Sequence, residues 1–336
     1  PTSDASSHAK FISLLRRSMV GLGFFYLADS PLEKERENVL DLSRRFFDVS
    51  VEERRLIDQK ESRHFRGYSD IGTEYTQSKQ DNREQLDLGI EAPALPTSVT
   101  KSAPYLNLWG PNQFPASPPE LKEAVLRYIE AAEQLTIQLT AAIEEALGVP
   151  PGRLQDQLGL TSKDAAFAAI RDLAKRQEMP YERMKIVRYG SEGNEQGVGA
   201  HRDGGWITLL ATDDKPGLQV EDFDGSWLDV PYRPGCILVN FGQQLERISS
   251  GLINAATHRV HIYPSPAPRL SFPYFAMPNL RALIAPIPRE ELSEEVLQDW
   301  SAAEKARGGG GRVSSVPEKD LHGLEREEAG LSAWRG

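Results

Sequence analysis

The sequence predicts a mainly β fold in which a core of short strands is flanked by helices. Between residues 183 and 277, short β-branched and aromatic segments alternate with turn residues, which is typical of a sandwich or barrel. A sustained apolar stripe at helical spacing over 118–147 predicts a long helix on which a sheet can pack. We expect a single domain over 1–336, made of a mostly helical part (1–180), a β core (181–280) and a helical tail (281–336).

The N-terminal segment predicts two helices with a strand between them. Apolar residues recur at helical spacing over 9–22, and the aromatic segment 21–27 predicts a short strand. Ser30, Pro31 and Glu33 fit the start of the second helix as N-cap, first helical residue and capping-box partner. This part of the chain is therefore expected to pack as helices around one short strand.

The middle of the chain combines irregular segments with its clearest helix. Segment 64–85 mixes aromatic, charged and glycine residues without a period, and loops of that kind often carry function. A proline-rich connection over 93–119 is expected to cross the surface. The helix over 118–147 then ends at Gly148, which is followed by Val149 and Pro150.

The predicted strands share short length, β-branched or aromatic content and flanking turn residues. They cover 184–189, 206–212, 217–221, 227–230, 236–241, 257–263 and 269–277. Asp224 and Gly225 predict a hairpin turn between two of them. After Pro288 the pattern is helical again until the four glycines 308–311, which predict a loop.

Composition excludes several classes of protein. The net charge of -10 disfavours a nucleic-acid partner, since such proteins usually present a basic surface. No apolar run approaches the length that a membrane span needs. Cys236 is the only cysteine, so there is no disulfide framework, and we expect a cytoplasmic protein. Nothing in the sequence indicates an oligomeric state.

The side chains of His201 and Asp203 suggest a metal site. They stand two residues apart, so in a strand both would leave the same face. An imidazole beside a carboxylate suits a divalent first-row metal, and His258 is the candidate third ligand. Alternation puts His261 on the opposite face from His258, so only one of these two can join. Two histidines and one carboxylate with open positions point to a non-haem Fe(II) oxygenase.

A second pair of residues at strand spacing predicts a carboxylate-binding site. Arg269 and Ser271 also stand two apart and would share a face. A guanidinium binds a carboxylate through two hydrogen bonds, and a hydroxyl adds another. Beside a metal, this pair is a plausible clamp for a carboxylate ligand.

At this point the sequence resembles a known family. The residues His201-Arg202-Asp203, His258 and Arg269-Leu270-Ser271 are similar to the HxD…H…RxS signature of the 2-oxoglutarate/Fe(II)-dependent dioxygenases, in the isopenicillin N synthase-like branch. Segments 23–26 and 184–189 are also similar to family strands, and the likeness covers about 11–278. It implies a double-stranded β-helix, also called a jelly roll, flanked by helices.

The resemblance also implies cofactors and roles. It implies Fe(II) held by His201, Asp203 and His258, and 2-oxoglutarate chelating that iron. Its far carboxylate would lie on Arg269 and Ser271, and Tyr189 matches a family tyrosine that contacts the same cosubstrate.

The implied reaction uses O2 and 2-oxoglutarate to oxidise a small organic molecule, in secondary metabolism, with release of succinate and CO2. Hydroxylation, desaturation, ring formation and rearrangement all remain open. One departure is Val187, where many relatives carry Asn, so one polar contact is absent here. Asp203 disfavours the halogenase variant of the family, in which a small residue leaves room for halide.

Two alternatives stay open from the residues. One is an oxidase of the same fold that uses Fe(II) and O2 without 2-oxoglutarate; the other is a non-catalytic or zinc-binding relative. For the substrate we expect a pocket for a mid-sized molecule with aromatic or apolar surface. The candidate lining residues, each of which could instead be an ordinary core residue, are Phe65, Arg66, Tyr68, Val187, Trp206 and Phe275.

Overall fold

The computed structural model of the chain describes residues 5–158, 180–191 and 195–306. The described helices are α1 (Ala5–Val20), α2 (Glu33–Asp48), α3 (Val51–Arg54), α4 (Thr97–Ser102), α5 (Leu121–Leu147), α6 (Arg153–Leu158), α7 (Gln243–Ile248) and α8 (Glu294–Ala306). Short 3-10 turns occupy Arg55–Ile57, Gln59–Glu61, Pro104–Leu108 and Arg289–Glu291. Among these helices, none is both long enough and apolar enough to span a bilayer.

The described strands are β1 (Phe24–Ala28), β2 (Gly67–Ser69), β3 (Tyr75–Thr76), β4 (Lys79–Gln80), β5 (Arg83–Gly89), β6 (Arg183–Tyr189), β7 (Gln196–His201), β8 (Ile207–Thr212), β9 (Leu218–Glu221), β10 (Trp227–Asp229), β11 (Cys236–Phe241), β12 (His258–His261) and β13 (Leu270–Ala276). The strands predicted over the second half of the chain are confirmed, with ends that shift by one or two residues. The four glycines predicted to form a loop after α8 lie outside the described residues.

Two antiparallel sheets form the core. The larger has the order β1-β11-β8-β13-β6-β5-β2, and the smaller has the order β10-β9-β12-β7. Buried apolar side chains of β1, β6 and β11 pack between the sheets against side chains of β7, β9 and β12. The two sheets therefore enclose an interior layer, as in a jelly roll, and residues that face it from either sheet can meet.

The helices cover the other face of the larger sheet. The apolar stripe of α5 is buried against α1, α2 and β13, and the Tyr128 ring contacts the Phe272 ring edge-on at 5.4 Å between centroids. The helix ends where predicted, because Gly148 adopts a left-handed conformation (φ 71°) and its amide turns back to Glu145 O. The long helix is thus the support on which the sheet rests.

The N-terminal part has more helix than strand, but it also contributes β1, β2 and β5 to the larger sheet. We expected segment 64–85 to be irregular, and it instead contains β2 to β4 and leads into β5. Strand β5 carries Glu84, Gln85 and Asp87 fully buried. Charged and amide side chains thus occupy buried positions that apolar residues usually fill, so the hydrophobic pattern did not indicate a strand here.

The predicted capping box at the start of α2 is wrong. The Ser30 hydroxyl accepts from the Leu32 amide at 3.2 Å, and the Ser30 carbonyl accepts from the Glu33 amide at 3.3 Å. These bonds form a turn ahead of the helix, which begins at Glu33 instead. The Glu33 carboxylate pairs with Arg36 at 2.6 Å rather than with the backbone of Ser30.

The backbone of the loop between β7 and β8 packs directly against the backbone at Gly242, which precedes α7. A Cβ on Gly242 would lie 2.1 Å from the Gly205 carbonyl oxygen, and none fits there. The amide of Gly242 donates to Trp206 O at 2.9 Å, and the amide of Gln243 donates to Asp203 O at 2.8 Å. This close approach fixes the backbone that carries Asp203.

We expect Gly242→Ala to lower the free energy of unfolding by about 2 kcal/mol, because its methyl group would separate the two backbones. Gly204→Ala adds the same methyl group where no heavy atom lies within 4 Å. That control should change the free energy by less than about 0.5 kcal/mol. Chemical denaturation of both variants measures the difference, and equal losses would contradict this view of the loop.

Candidate active site

A cavity of about 370 Å³ lies between the two sheets. Its walls include side chains of β5, β6, β8, β11 and β13 from the larger sheet and of β7, β9 and β12 from the smaller one. A volume of this order suits a small organic ligand. The predicted metal ligands and the predicted carboxylate clamp both line this cavity.

The two predicted histidine ligands face each other across a strand pair. His258 on β12 lies directly opposite His201 at the end of β7, and their ring centroids are 4.3 Å apart. His201 Nδ1 donates to Gly199 O at 2.9 Å, and His258 Nδ1 donates to Ala256 O at 3.2 Å. A carbonyl oxygen only accepts, so each neutral ring carries its proton on Nδ1 and leaves Nε2 free to bind a metal.

Alternation along β12 places its two histidines as predicted. His258 is buried and lines the cavity, whereas His261 packs against the Tyr263 ring at 4.6 Å between centroids and does not line it. Strand β7 behaves differently, because its register with β12 shifts between His201 and Val198. Such a bulge lets residues three apart face the same way, and both of these line the cavity.

The Asp203 carboxylate uses its two oxygens differently. Oδ2 accepts hydrogen bonds from Thr208 Oγ1 at 2.5 Å and from Asn240 Nδ2 at 2.8 Å. Oδ1 lies 3.7 Å from the Nε2 atom of His201 and 3.7 Å from that of His258, too far for hydrogen bonds. One oxygen is therefore held in place while the other converges with the imidazoles. Strand β7 ends at His201, so Asp203 reaches this position from the loop.

The pKa shifts of His201 and Asp203 favour the protonation states that bind a cation. Burial and the neighbouring His258 lower the pKa of His201 to about 4. Burial alone would raise the pKa of Asp203, but the two histidines and the hydrogen bonds from Thr208 and Asn240 outweigh it and hold that pKa below its ordinary value. Near neutral pH, His201 is therefore a neutral ligand and Asp203 an anionic one.

The donor set fits a divalent metal ion. One ligand atom from each of His201, Asp203 and His258 lies within 4.8 Å of the other two, and in the described part of the chain no other histidine, cysteine or carboxylate group of three does so. Two imidazoles and a carboxylate are the ligands of the non-haem Fe(II) facial triad. The residues present thus fit Fe(II) and leave room for further ligands from the cavity.

The residues of the predicted clamp, Arg269 and Ser271, line the cavity together with Tyr189. The Arg269 guanidinium lies over the Tyr189 ring at 4.9 Å, and its Nε donates to Lys215 O at 3.3 Å. The hydroxyls of Tyr189 and Ser271 are 3.1 Å apart. Arg269 Nη1 is buried without any hydrogen-bond partner. A buried guanidinium nitrogen without an acceptor is costly, so this end of the cavity fits a carboxylate ligand.

The predicted substrate residues divide into two groups. Val187 and Phe275 line the cavity, but the other four do not. Phe65 is 56% exposed with φ 56°, and the Arg66 guanidinium is buried against Tyr181 and backbone carbonyls.

Tyr68 and Trp206 belong to the hydrophobic core outside the cavity. The Tyr68 hydroxyl donates to Glu84, and Trp206 Nε1 donates to Thr140 Oγ1 of α5 at 3.2 Å. The irregular sequence around Phe65 and the nearness of Trp206 to the metal ligands suggested the cavity, but sequence distance does not give side-chain direction.

Several site residues were missed from the sequence. Thr208 and Asn240 hold Asp203 from strands β8 and β11, and no motif marks them. Arg183 and Lys185 also line the cavity. They share strand parity with Val187, so the alternation along β6 could have found them.

Comparison with known proteins gives a consistent result. A profile described as 2OG-Fe(II) oxygenase superfamily matches residues 181–278, and one described as non-haem dioxygenase in morphine synthesis N-terminal matches residues 1–117. A 2-oxoglutarate-dependent dioxygenase of Gibberella zeae is 31% identical, over 83% of this chain and 73% of its own length. The 2-oxoglutarate-dependent dioxygenase frbJ of Dothideomycetidae sp. is 33% identical, over 79% of this chain and 68% of its own length. A homoarginine-6-hydroxylase of Arabidopsis thaliana is 30% identical, over 84% of this chain and 76% of its own length.

Solved structures confirm the predicted jelly roll. A full-length Neurospora crassa protein in complex with alpha-KG has a TM-score of 0.67 and 24% identity, covering 89% of this chain and 92% of that one. JOX2 in complex with 2OG, Fe and JA has a TM-score of 0.65 and 21% identity, covering 85% of this chain and 76% of that one. At these identities the likeness concerns the fold.

We expect Thr208→Val to weaken Fe(II) binding about tenfold, because the carboxylate that it orients loses one of two hydrogen bonds. Thr212→Val makes the same change on the same strand without touching Asp203 and should leave the affinity unchanged. Anaerobic Fe(II) titration of both variants measures this. An unchanged affinity in Thr208→Val would show that Asn240 alone orients the carboxylate.

Proposed function

This chain belongs to the 2-oxoglutarate/Fe(II)-dependent dioxygenases, and we propose that His201, Asp203 and His258 hold its iron while Arg269 and Ser271 bind the 2-oxoglutarate carboxylate. The enzyme oxidises a small organic molecule. The observation that supports these assignments most directly is the convergence of three metal ligands and an unpartnered buried guanidinium on one cavity.

When bound, Fe(II) and 2-oxoglutarate supply the oxidising power for breaking a substrate C–H bond with O2, and 2-oxoglutarate leaves as succinate and CO2. The chain's residues position these groups. His201 and His258 hold their rings through Nδ1, so that Nε2 faces the metal. Thr208 and Asn240 fix the Asp203 carboxylate. The two sheets enclose these residues from both sides.

Arg269, Ser271 and Tyr189 form the carboxylate end. Arg269 Nη1 offers an N–H without an acceptor, and the Ser271 and Tyr189 hydroxyls lie within hydrogen-bond distance of each other. A carboxylate placed there would accept from the guanidinium and from a hydroxyl. An oxidase of the same fold that does without 2-oxoglutarate can retain such an Arg–Ser pair, so the pair counts only in part against that alternative, and the titration below decides between the two.

The substrate pocket in this proposal contains Val187 and Phe275, which present apolar surface to the cavity that the candidate metal ligands also line. The product type, whether hydroxyl, alkene, ring or rearranged skeleton, depends on which substrate carbon faces the iron. We place the enzyme in secondary metabolism and in the cytoplasm, without a nucleic-acid or membrane partner. The net charge of -10 supports the absence of a nucleic-acid partner, and the single cysteine supports a reducing compartment.

We expect anaerobic addition of Fe(II) and then 2-oxoglutarate to produce a visible charge-transfer band. Arg269→Ala should need about 10- to 100-fold more 2-oxoglutarate for that band, because a charge-assisted carboxylate contact is lost. Arg259→Ala is the matched control, since Arg259 lies over the Trp227 ring at 4.0 Å and does not line the cavity. Iron binding without a band would favour the oxidase, and equal effects of both variants would reject the clamp.

We expect Phe275→Ala to raise the KM of the substrate roughly tenfold, because the bound molecule loses an apolar wall worth about 1–2 kcal/mol. Phe65→Ala should leave KM unchanged, because that ring is exposed and outside the cavity. Steady-state kinetics of the two variants with the same substrate gives the comparison. A larger effect at Phe65 than at Phe275 would move the substrate to the surface loop.

A further inference from the structure

Among the basic residues that line the cavity, two neighbours on one strand are not among those proposed to bind iron or 2-oxoglutarate. Arg183 and Lys185 lie on the inward face of β6, in one row with Val187 and Tyr189. At strand spacing, Lys185 and Arg183 lie about 13 Å and about 20 Å along the strand from Tyr189. They are therefore well separated from the position proposed for the 2-oxoglutarate carboxylate.

Both cations share a single carboxylate. Asp87 Oδ1 lies 3.0 Å from Arg183 Nη2 and 3.3 Å from Lys185 Nζ. Asp87 Oδ2 accepts from the amides of Gln59 at 2.8 Å and Gln85 at 2.7 Å. Asp87 is fully buried behind the wall and does not line the cavity. An arginine and a lysine thus share one carboxylate, whose second oxygen already accepts hydrogen bonds from two glutamines.

Other charges also act on this pair: Glu74 raises the pKa of Lys185, whereas Arg83 and Arg183 lower it. Arg83 also lines the cavity, but Asp81 at 3.2 Å and Glu74 at 3.5 Å pair with it from outside the lining. The Nε atom of Arg183 is buried without a hydrogen-bond partner. Burial lowers the pKa of Lys185, and Asp87 opposes that shift. Donors with spare N–H groups in a partly desolvated wall bind an anion well and disfavour a cation.

We propose that the substrate of this oxygenase carries an organic anion, a carboxylate or a phosphate, which Arg183 and Lys185 bind. This inference rests on the proposed function of the same cavity. The apolar part of the substrate lies against Val187 and Phe275, between the anion and the metal ligands. The wall thereby sets specificity: it orients an acidic molecule by its charged end and rejects one whose corresponding end is cationic.

The test uses the full chain loaded anaerobically with Fe(II) and saturating 2-oxoglutarate. Titrations with 3-phenylpropionate, phenyl phosphate and the neutral 3-phenylpropanamide are followed through the visible charge-transfer band. We expect at least one acid to perturb the band at concentrations about 10- to 100-fold lower than the amide does. The acid that binds more tightly distinguishes carboxylate from phosphate recognition.

Variants with opposite expected effects separate the charge from general damage to the fold. Lys185→Met should weaken binding of the preferred acid about 10- to 100-fold. Asp87→Asn should strengthen it, because the carboxylate that offsets the wall is removed. Lys101→Met, on the exposed helix α4, should have no effect.

Several outcomes would overturn the inference. They are equal binding of acid and amide, no perturbation by either acid, loss of the band through displacement of 2-oxoglutarate, and an unchanged acid preference in Lys185→Met. A normal band with any of these results overturns the inference alone. Absence of the band in the parent protein overturns the proposed function and, with it, this inference.

Discussion

The pairing of β7 with β12 is the constraint on which the site depends. It sets His258 opposite His201, and a bulge in the same pair lets both His201 and Val198 face the cavity. A slip of one residue would turn His258 out and His261 in, because side chains alternate along a strand. The positions of the two candidate histidine ligands therefore depend on this register, which buried residues such as Val260 hold in place.

Asp203 joins the two sheets at this point. Its neighbour His201 belongs to the smaller sheet, but Thr208 and Asn240, which hold its carboxylate, belong to the larger one. Its backbone carbonyl accepts from Gln243 at the start of α7. The position of the ligand oxygen thus depends on how the sheets pack together, so the geometry of the site and the stability of the core are linked.

The candidate metal ligands and the Arg269–Ser271 pair could be predicted because they are chemically distinctive residue types at short, regular spacings, although Asp203 lies in the loop after β7 rather than in the strand. The bulge in β7 could not, since it changes which residues face inward without changing their identity. Strand β5 was hidden for a different reason. Its buried Glu84 and Asp87 look like surface residues until their cationic partners on β6 are known. The alternation along β6 could have indicated that Arg183 and Lys185 line the cavity, but their shared partner Asp87 lies on the hidden strand β5.

Strands β5 and β6 carry buried charges on both faces, and the contrast between the faces is informative. On the outer face, Glu84 accepts from Arg188 and lies 3.5 Å from Arg54, and both guanidinium groups also donate to Phe47 O. On the inner face, Asp87 likewise meets two cations, Arg183 and Lys185. Each face thus has more N–H donors than its carboxylate can accept from. On the outer face the Phe47 carbonyl accepts from both arginines, whereas on the inner face Arg183 and Lys185 line the cavity. An anionic ligand in the cavity would supply an acceptor for the inner group, so in our proposal charge as well as apolar surface determines what this cavity binds.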